Sequence, residues 1–342
     1  MKKIMLLIII VSIMTILTNY RYVYAYSFYT YNLTYNPTTI AIDNYGNIVL
    51  GSSKHKTILV INSVNGKITA YNTGHYVYGL YIGKNNTIWT SGFVGINIIK
   101  NLKHTIDASL PLVGIDSNNN FYLSNANNGS LKEYRDISNG FRFIRTLYSL
   151  NFMIMSSPVF TKNNAVWVTT NEYSVAEFAS SGHGVKKNYK LPFALAFGSI
   201  AIGKHGNIWI VTDNNTIIKL NPANGKMIDR FNFFADGSPK SNIVIRSISL
   251  KIGKHGNIWV YNPRQTTTTT TENISSSNVV SDIRNAHKVT GDNLLMKMSP
   301  SGKIIKKYLI KANNANNIMA IGKRGNIWLA VGDDKIIKII NR

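Results

Sequence analysis

The sequence predicts an all-β fold: a seven-bladed β-propeller of four-stranded blades, closed by its own N-terminal strand. Three observations predict it. An eight-residue motif returns seven times, every copy reads as short strands separated by turn residues, and the last copy is one strand short while an unattached strand precedes the first.

The motif is clearest as Ile202-Gly-Lys-His-Gly-Asn-Ile-Trp209, Ile252-Gly-Lys-His-Gly-Asn-Ile-Trp259 and Ile321-Gly-Lys-Arg-Gly-Asn-Ile-Trp328. Degenerate copies end at Val49, Trp89, Tyr122 and Trp167. These anchors are spaced by 33 to 50 residues, except for 69 across the last interval. A period near 40 residues with β-branched and aromatic runs is propeller spacing, and no stripe of period 3.6 supports a helical solenoid. In the fifth copy the strands are expected at 199–202, 207–212, 216–220 and 226–231. Gly206-Asn207 and Asn224-Gly225 are the turns between them, because Gly and Asn tolerate positive φ. The wide interval is an insertion in blade six, about 263–293, containing Thr266 to Thr271. It is too polar to bury a core and is expected to be mobile.

The last copy offers strands at 318–321, 326–331 and 335–339 and no fourth. Residues 26–34 supply an orphan strand, whose pairing with the last blade removes two exposed edges at once. Upstream, Lys2, Lys3 and the apolar run Ile4 to Leu17 read as an export signal, with cleavage expected after Ala25. The domain organisation is thus a signal peptide over 1–25 and one propeller over 26–342, secreted or held at the cell surface. An uncleaved signal is the one route to membrane attachment.

Composition narrows the chemistry. No cysteine is present, so no disulfide or thiolate metal site staples the fold. Lys and Arg total 38 against 15 Asp and Glu, a net charge of +23. Residues 1–25 hold three of the basic residues and none of the acidic ones.

The turn 206–209 and the run Ile217-Ile-Lys-Leu-Asn-Pro-Ala-Asn-Gly-Lys226 resemble the streptogramin-lyase-like and NHL-repeat β-propellers. The resemblance spans nearly all of 26–342. It implies the fold, and it implies lyase, lactonase or pure binding activity alike, since such propellers host all three. Resemblance to the lyases implies His and Glu at the channel mouth with a divalent metal, and repeats that read Trp-Phe-Thr-Glu after the turn. The matching runs here are Trp209-Ile-Val-Thr212-Asp213 and Trp167-Val-Thr-Thr170-Asn171.

Propeller topology sorts the loops by face. Turns between first and second strands, and between third and fourth, share a bottom face, which receives Lys67, Lys84, Lys204, Lys226, Lys254, Lys303 and Lys323, with Arg324, His205 and His255 among them. A field of one sign attracts polyanions. The top face has the channel mouth, where Asn36, Tyr76, Tyr78, Arg246 and Asn316 are the candidate binding residues, a set suited to a sugar or small anion. The expected function is a monomeric binding or scaffold module at the cell envelope. Its basic face would meet an anionic cell-surface polymer, glycan or envelope protein; nucleic acid is not the expected partner. The alternative is a lyase or lactonase-type enzyme working in the top channel. It would need two of His75, Glu172, Asp213, Asp236, Asp333 and Asp334 to converge, and a divalent metal there is the one cofactor entertained.

Overall fold

The structure is a computed structural model and describes residues 28–84, 86–92, 96–98, 105–106, 112–125, 130–137, 140–147, 154, 156–178, 184–192, 195–212, 216–232, 243–244, 248–253, 255–262, 265–269, 287–290, 292–311, 318–322, 324–332 and 334–340. The expected signal peptide lies outside them. The chain is an all-β β-propeller. Among the described residues, seven sheets have four strands and an eighth has three. Taken in chain order by first strand, five of the four-stranded sheets are simple meanders, at 39–72, 79–106, 112–147, 159–190 and 195–232. The sixth runs Ser249–Ile252, Ile258–Asn262, Asp292–Met298 and Ile304–Lys311. The seventh takes Met319–Ile321, Ile327–Gly332 and Lys335–Ile339, and its fourth position is filled by Phe28–Asn32.

The fifth sheet shows why the repeat folds this way. Ile208–Thr212 is β-branched and aromatic and is buried throughout, as a strand covered on both faces must be. Before it, Gly206 adopts φ 82° and donates its amide to the Gly203 carbonyl at 2.9 Å. Strands three and four are joined by the turn Asn221 to Lys226, in which the Gly225 amide donates to the Asn221 carbonyl at 2.8 Å. The Asn221 side chain accepts from the Ala223 amide at 2.8 Å, the local bonding that suits Asn to turns. The outer strand Met227–Asn232 is almost wholly exposed, so the core lies between sheets and not at the rim.

All seven anchors are buried, with exposures of 2% or less. Each faces the next sheet, against the residues that flank the next anchor. Trp209 packs with Ile258 and Val260, Trp259 with Ile327 and Leu329, and Trp328 with Ile48 and Leu50. Trp167 packs with Ile208 and Ile210, Tyr122 with Val166 and Val168, and Trp89 with Phe121 and Leu123, while Val49 meets Ile88. The alternation along each second strand therefore bonds every sheet to both neighbours, and one of these clusters joins the seventh sheet to the first.

A second set of ring contacts uses the fourth strand. Tyr189, Phe231 and Tyr308 lie with ring centroids 6.1, 5.7 and 6.0 Å from the anchors Trp167, Trp209 and Trp259 of their own sheets. Tyr189 and Phe231 also press on Gly225 and Gly302 in the following sheet's outer turn, leaving no room for a Cβ there. Tyr31 repeats the pattern from the N-terminal strand. It pairs with Ile336, its ring is 5.5 Å from Trp328, and it comes within 3.3 Å of where a Cβ on Gly66 would stand.

The insertion differs from the expectation of an irregular, mobile run. Gln265–Thr269 pairs with His287–Thr290 and with Ile243–Val244, forming the three-stranded sheet. Threonine is β-branched, and a Thr run beside strand ends can extend the pairing although it cannot fill a core.

Candidate binding sites

Two features on the propeller have the chemistry of a binding site: the basic turns and the central channel.

The turns come first. Lys67, Lys84, Lys204, Lys226 and Lys303 are all exposed, as are Arg324, His205 and His255. Each occupies a turn between strands one and two or strands three and four, and antiparallel meanders put those turns at one end of every sheet. Lys254 and Lys323 lie outside the described residues. Lys162 belongs to the same set and was missed by the sequence reading, although the copy Phe160-Thr-Lys162 carries it at the repeat position of Lys84 and Lys204. Neighbouring turns are tied together. The Asn86 side chain accepts from the Asn44 amide at 2.6 Å, Asn119 accepts from the Lys84 amide at 3.0 Å, and Ser117 donates to Asn164 at 2.9 Å. These three Asn have φ of 62°, 65° and 56°, where other copies have Gly, so one residue type makes the turn and the tie.

Other lysines have a different task. Lys219, Lys297 and Lys338 sit 5.3, 5.3 and 5.1 Å over the rings of Trp209, Trp259 and Trp328, their cross-strand partners. Lys219 continues to the Pro300 carbonyl of the next sheet at 3.2 Å, and Lys187 reaches the Pro222 carbonyl at 2.7 Å. In the third and fourth sheets the equivalent of Lys219 is a buried glutamate. Glu133 pairs with Arg145 at 2.6 Å and Glu177 with Lys187 at 3.0 Å. Part of the positive charge thus binds sheets together, and the turn lysines are among those left on the surface.

The channel is a cavity of about 540 Å³ lined by the first strands of the first six sheets. Eight residues before each anchor, and directly opposite it in register, stand Ala41, Tyr81, Gly114, Val159, Ala201, Lys251 and Ala320. Five of these are aliphatic or Gly, which keeps the channel open. Tyr81 and Lys251 depart from the rule, and both line the cavity with Ser157, Ser249, Thr39 and Tyr78. Lys251 is exposed to the cavity, and desolvation by the surrounding wall lowers the pKa of its ammonium. Burial pushes the Tyr81 phenol up to about 12, and a hydrogen bond with Ser157 opposes that shift. The sequence reading missed Lys251 because it sought mouth residues ahead of the first strands, as Asn36, Tyr76 and Tyr78 are, whereas Lys251 stands within Ser249–Ile252.

The predicted mouth residues are only partly brought together. Tyr78 is 51% exposed and lines the cavity. Tyr76 is 47% exposed under the Lys56 ammonium, 5.5 Å from its ring centroid, and stands with Asn36 outside the cavity lining. Arg246 and Asn316 lie outside the described residues. Of the groups entertained for catalysis, Asp213, Asp236 and Asp333 lie outside the described residues. His75 is half-buried with Nε2 3.2 Å from the Thr90 hydroxyl, and burial lowers its pKa. Glu172 is exposed on the fourth sheet, 4.0 Å from Lys190, and Asp334 is exposed on the seventh. None of these three lines the cavity. Among the described residues no three His, Asp or Glu come together, and the charged group on the described channel wall is a cation, which does not fit a divalent metal.

No family model matches the chain, and no curated protein does. Solved structures share its fold. A streptogramin B lyase is 18% identical with a TM-score of 0.64, covering 92% of this chain and 97% of its own. A catalytically inactive histidine-to-alanine variant of virginiamycin B lyase from Staphylococcus aureus, with quinupristin, is 19% identical with a TM-score of 0.66, covering 93% and 100%. The WD40 β-propeller domain of Doa1 is 10% identical with a TM-score of 0.65, covering 92% and 98%. At these identities the likeness is one of fold.

Proposed function

We propose that the chain is an exported binding module at the cell envelope, a single ring of seven blades sealed by its N-terminal strand, docking through its basic face on an anionic polymer. The ring reading is supported by seven four-stranded sheets, by anchor clusters that run from each sheet to the next, and by Tyr31 in the slot of Tyr189 and Phe231. The observation that carries the docking is the set of exposed lysines on equivalent turns of one face. Surface charges that the fold does not use act over roughly a Debye length, about 8 Å at physiological salt, so the interaction is salt-sensitive. Neither part of this reading needs a cofactor.

Heparin-agarose is the probe. The protein is expected to bind at low salt and elute within a few hundred millimolar NaCl. Substituting Lys67, Lys84, Lys204, Lys226 and Lys303 together by Gln abolishes retention, while Gln at Lys54, Lys186, Lys190, Lys307 and Lys335 removes the same charge and leaves most of it. Retention indifferent to salt, or equal loss in both variants, overturns the docking. The fold of streptogramin B lyase favours a second reading, a lyase. Quinupristin incubated with the protein and a divalent metal, then followed by mass spectrometry, separates the two: the binding module leaves it unchanged.

A further inference from the structure

We infer that the central channel is a second, separate binding site, which takes a small hydroxylated carboxylate, an acidic sugar unit, with Lys251 as its anion anchor. The repeat itself argues this. At the register position opposite each anchor, five blades place an aliphatic residue or Gly, and the two exceptions put one ammonium and one phenol on the wall of the same cavity. They come from the second and sixth sheets, as far apart as the ring order allows, so a ligand in the cavity meets a cation on one side and a hydroxyl on the other.

The charge on Lys251 has no countercharge on that wall. Among the described residues lining the cavity there is no carboxylate. Lys251 is exposed to the cavity, so an anion entering from outside can reach it, and a carboxylate on an ammonium is a charge-assisted pair. The remaining wall chemistry selects the rest of the ligand. The hydroxyls of Thr39, Ser157, Ser249 and Tyr81 can both donate and accept, which matches the hydroxyls of a sugar, and the Tyr78 ring offers an apolar face for its C–H groups. A cavity of about 540 Å³ holds one or two sugar units.

The probe is glucuronate, titrated calorimetrically into the full chain at pH 7, with glucose and inorganic phosphate as comparisons. Saturable glucuronate binding is expected, weakened at least tenfold by Lys251→Met and severalfold by Tyr81→Phe, with Lys251→Arg between wild type and Lys251→Met. Glucose is expected not to bind, and phosphate at equal concentration is expected not to displace glucuronate. Absence of glucuronate binding, equal binding by Lys251→Met, or glucose binding as well overturns the anchor; displacement by phosphate overturns the sugar class. Each variant is also melted and run on heparin-agarose. Unchanged behaviour there shows an intact ring and basic face, so failure at the channel is distinct from failure of the docking.

Discussion

A lysine facing into a protein channel is a liability that can be measured without any ligand. Lys251 is exposed to the cavity, yet the wall around it removes part of its water and lowers its pKa from the usual 10.5, so at neutral pH the folded state holds a charge that the unfolded state solvates better. The destabilisation is fully present below the folded pKa and disappears as pH rises past about 10.5, where both states are neutral. Lys251→Met keeps the aliphatic stem and removes the charge. It is therefore expected to melt higher than wild type at pH 7, with the two curves converging above pH 10.5; a gap independent of pH is the contrary result. Tyr81, another titratable group on the described wall beside Tyr78, stays neutral over most of that range because its phenol is pushed up to about 12. At this scale the sequence was only partly legible. The turn lysines are written in the repeat and were read there, since a turn tip is solvated wherever the strands run. Lys251 sits inside a strand, where an eight-residue offset from the anchor, and not a motif, marks the channel.

Elements were more legible than single residues, because strand ends here are set by turn chemistry. The fifth sheet's second and third strands, Ile208–Thr212 and Thr216–Leu220, fall within one residue of the expected runs. The Thr run failed the same reasoning: its polarity excluded a core but not an extra strand pairing. The N-terminal strand was recognised by elimination, as an orphan beside an incomplete copy. Its stronger signature went unread, namely an aromatic residue at the fourth-strand position that Tyr189, Phe231 and Tyr308 occupy elsewhere. Tyr31 touches Trp328 on one side and the Gly66 turn on the other. Tyr31→Ala is expected to cost about 1–3 kcal/mol, from lost burial and ring contact. Tyr31→Phe keeps both and is expected to be near neutral, and chemical denaturation of the two variants decides whether the ring or the hydroxyl matters.

At the scale of the molecule, the proposed closure rests on one short strand, Phe28–Asn32, paired with Lys335–Ile339. Removing residues 26–34 is expected to give insoluble protein or a large fall in melting temperature, and a peptide of the same residues added in trans is expected to restore part of it. Unchanged solubility and melting in the truncated chain would refute closure by this strand. The seam also sets an order of events. Phe28 and its partner Ile339 are roughly 300 residues apart along the chain, so bringing them together costs about 5 kcal/mol of loop entropy if the intervening blades are unformed. The cost falls once those blades stack and carry the two ends toward each other. Phe28–Asn32 can find its partner only after Lys335–Ile339 is synthesised, so Tyr29 and Tyr31 wait for a strand roughly 300 residues downstream. In a chain that keeps Trp328 as its single tryptophan, the fluorescence of that ring, 5.5 Å from Tyr31, would report when this strand docks.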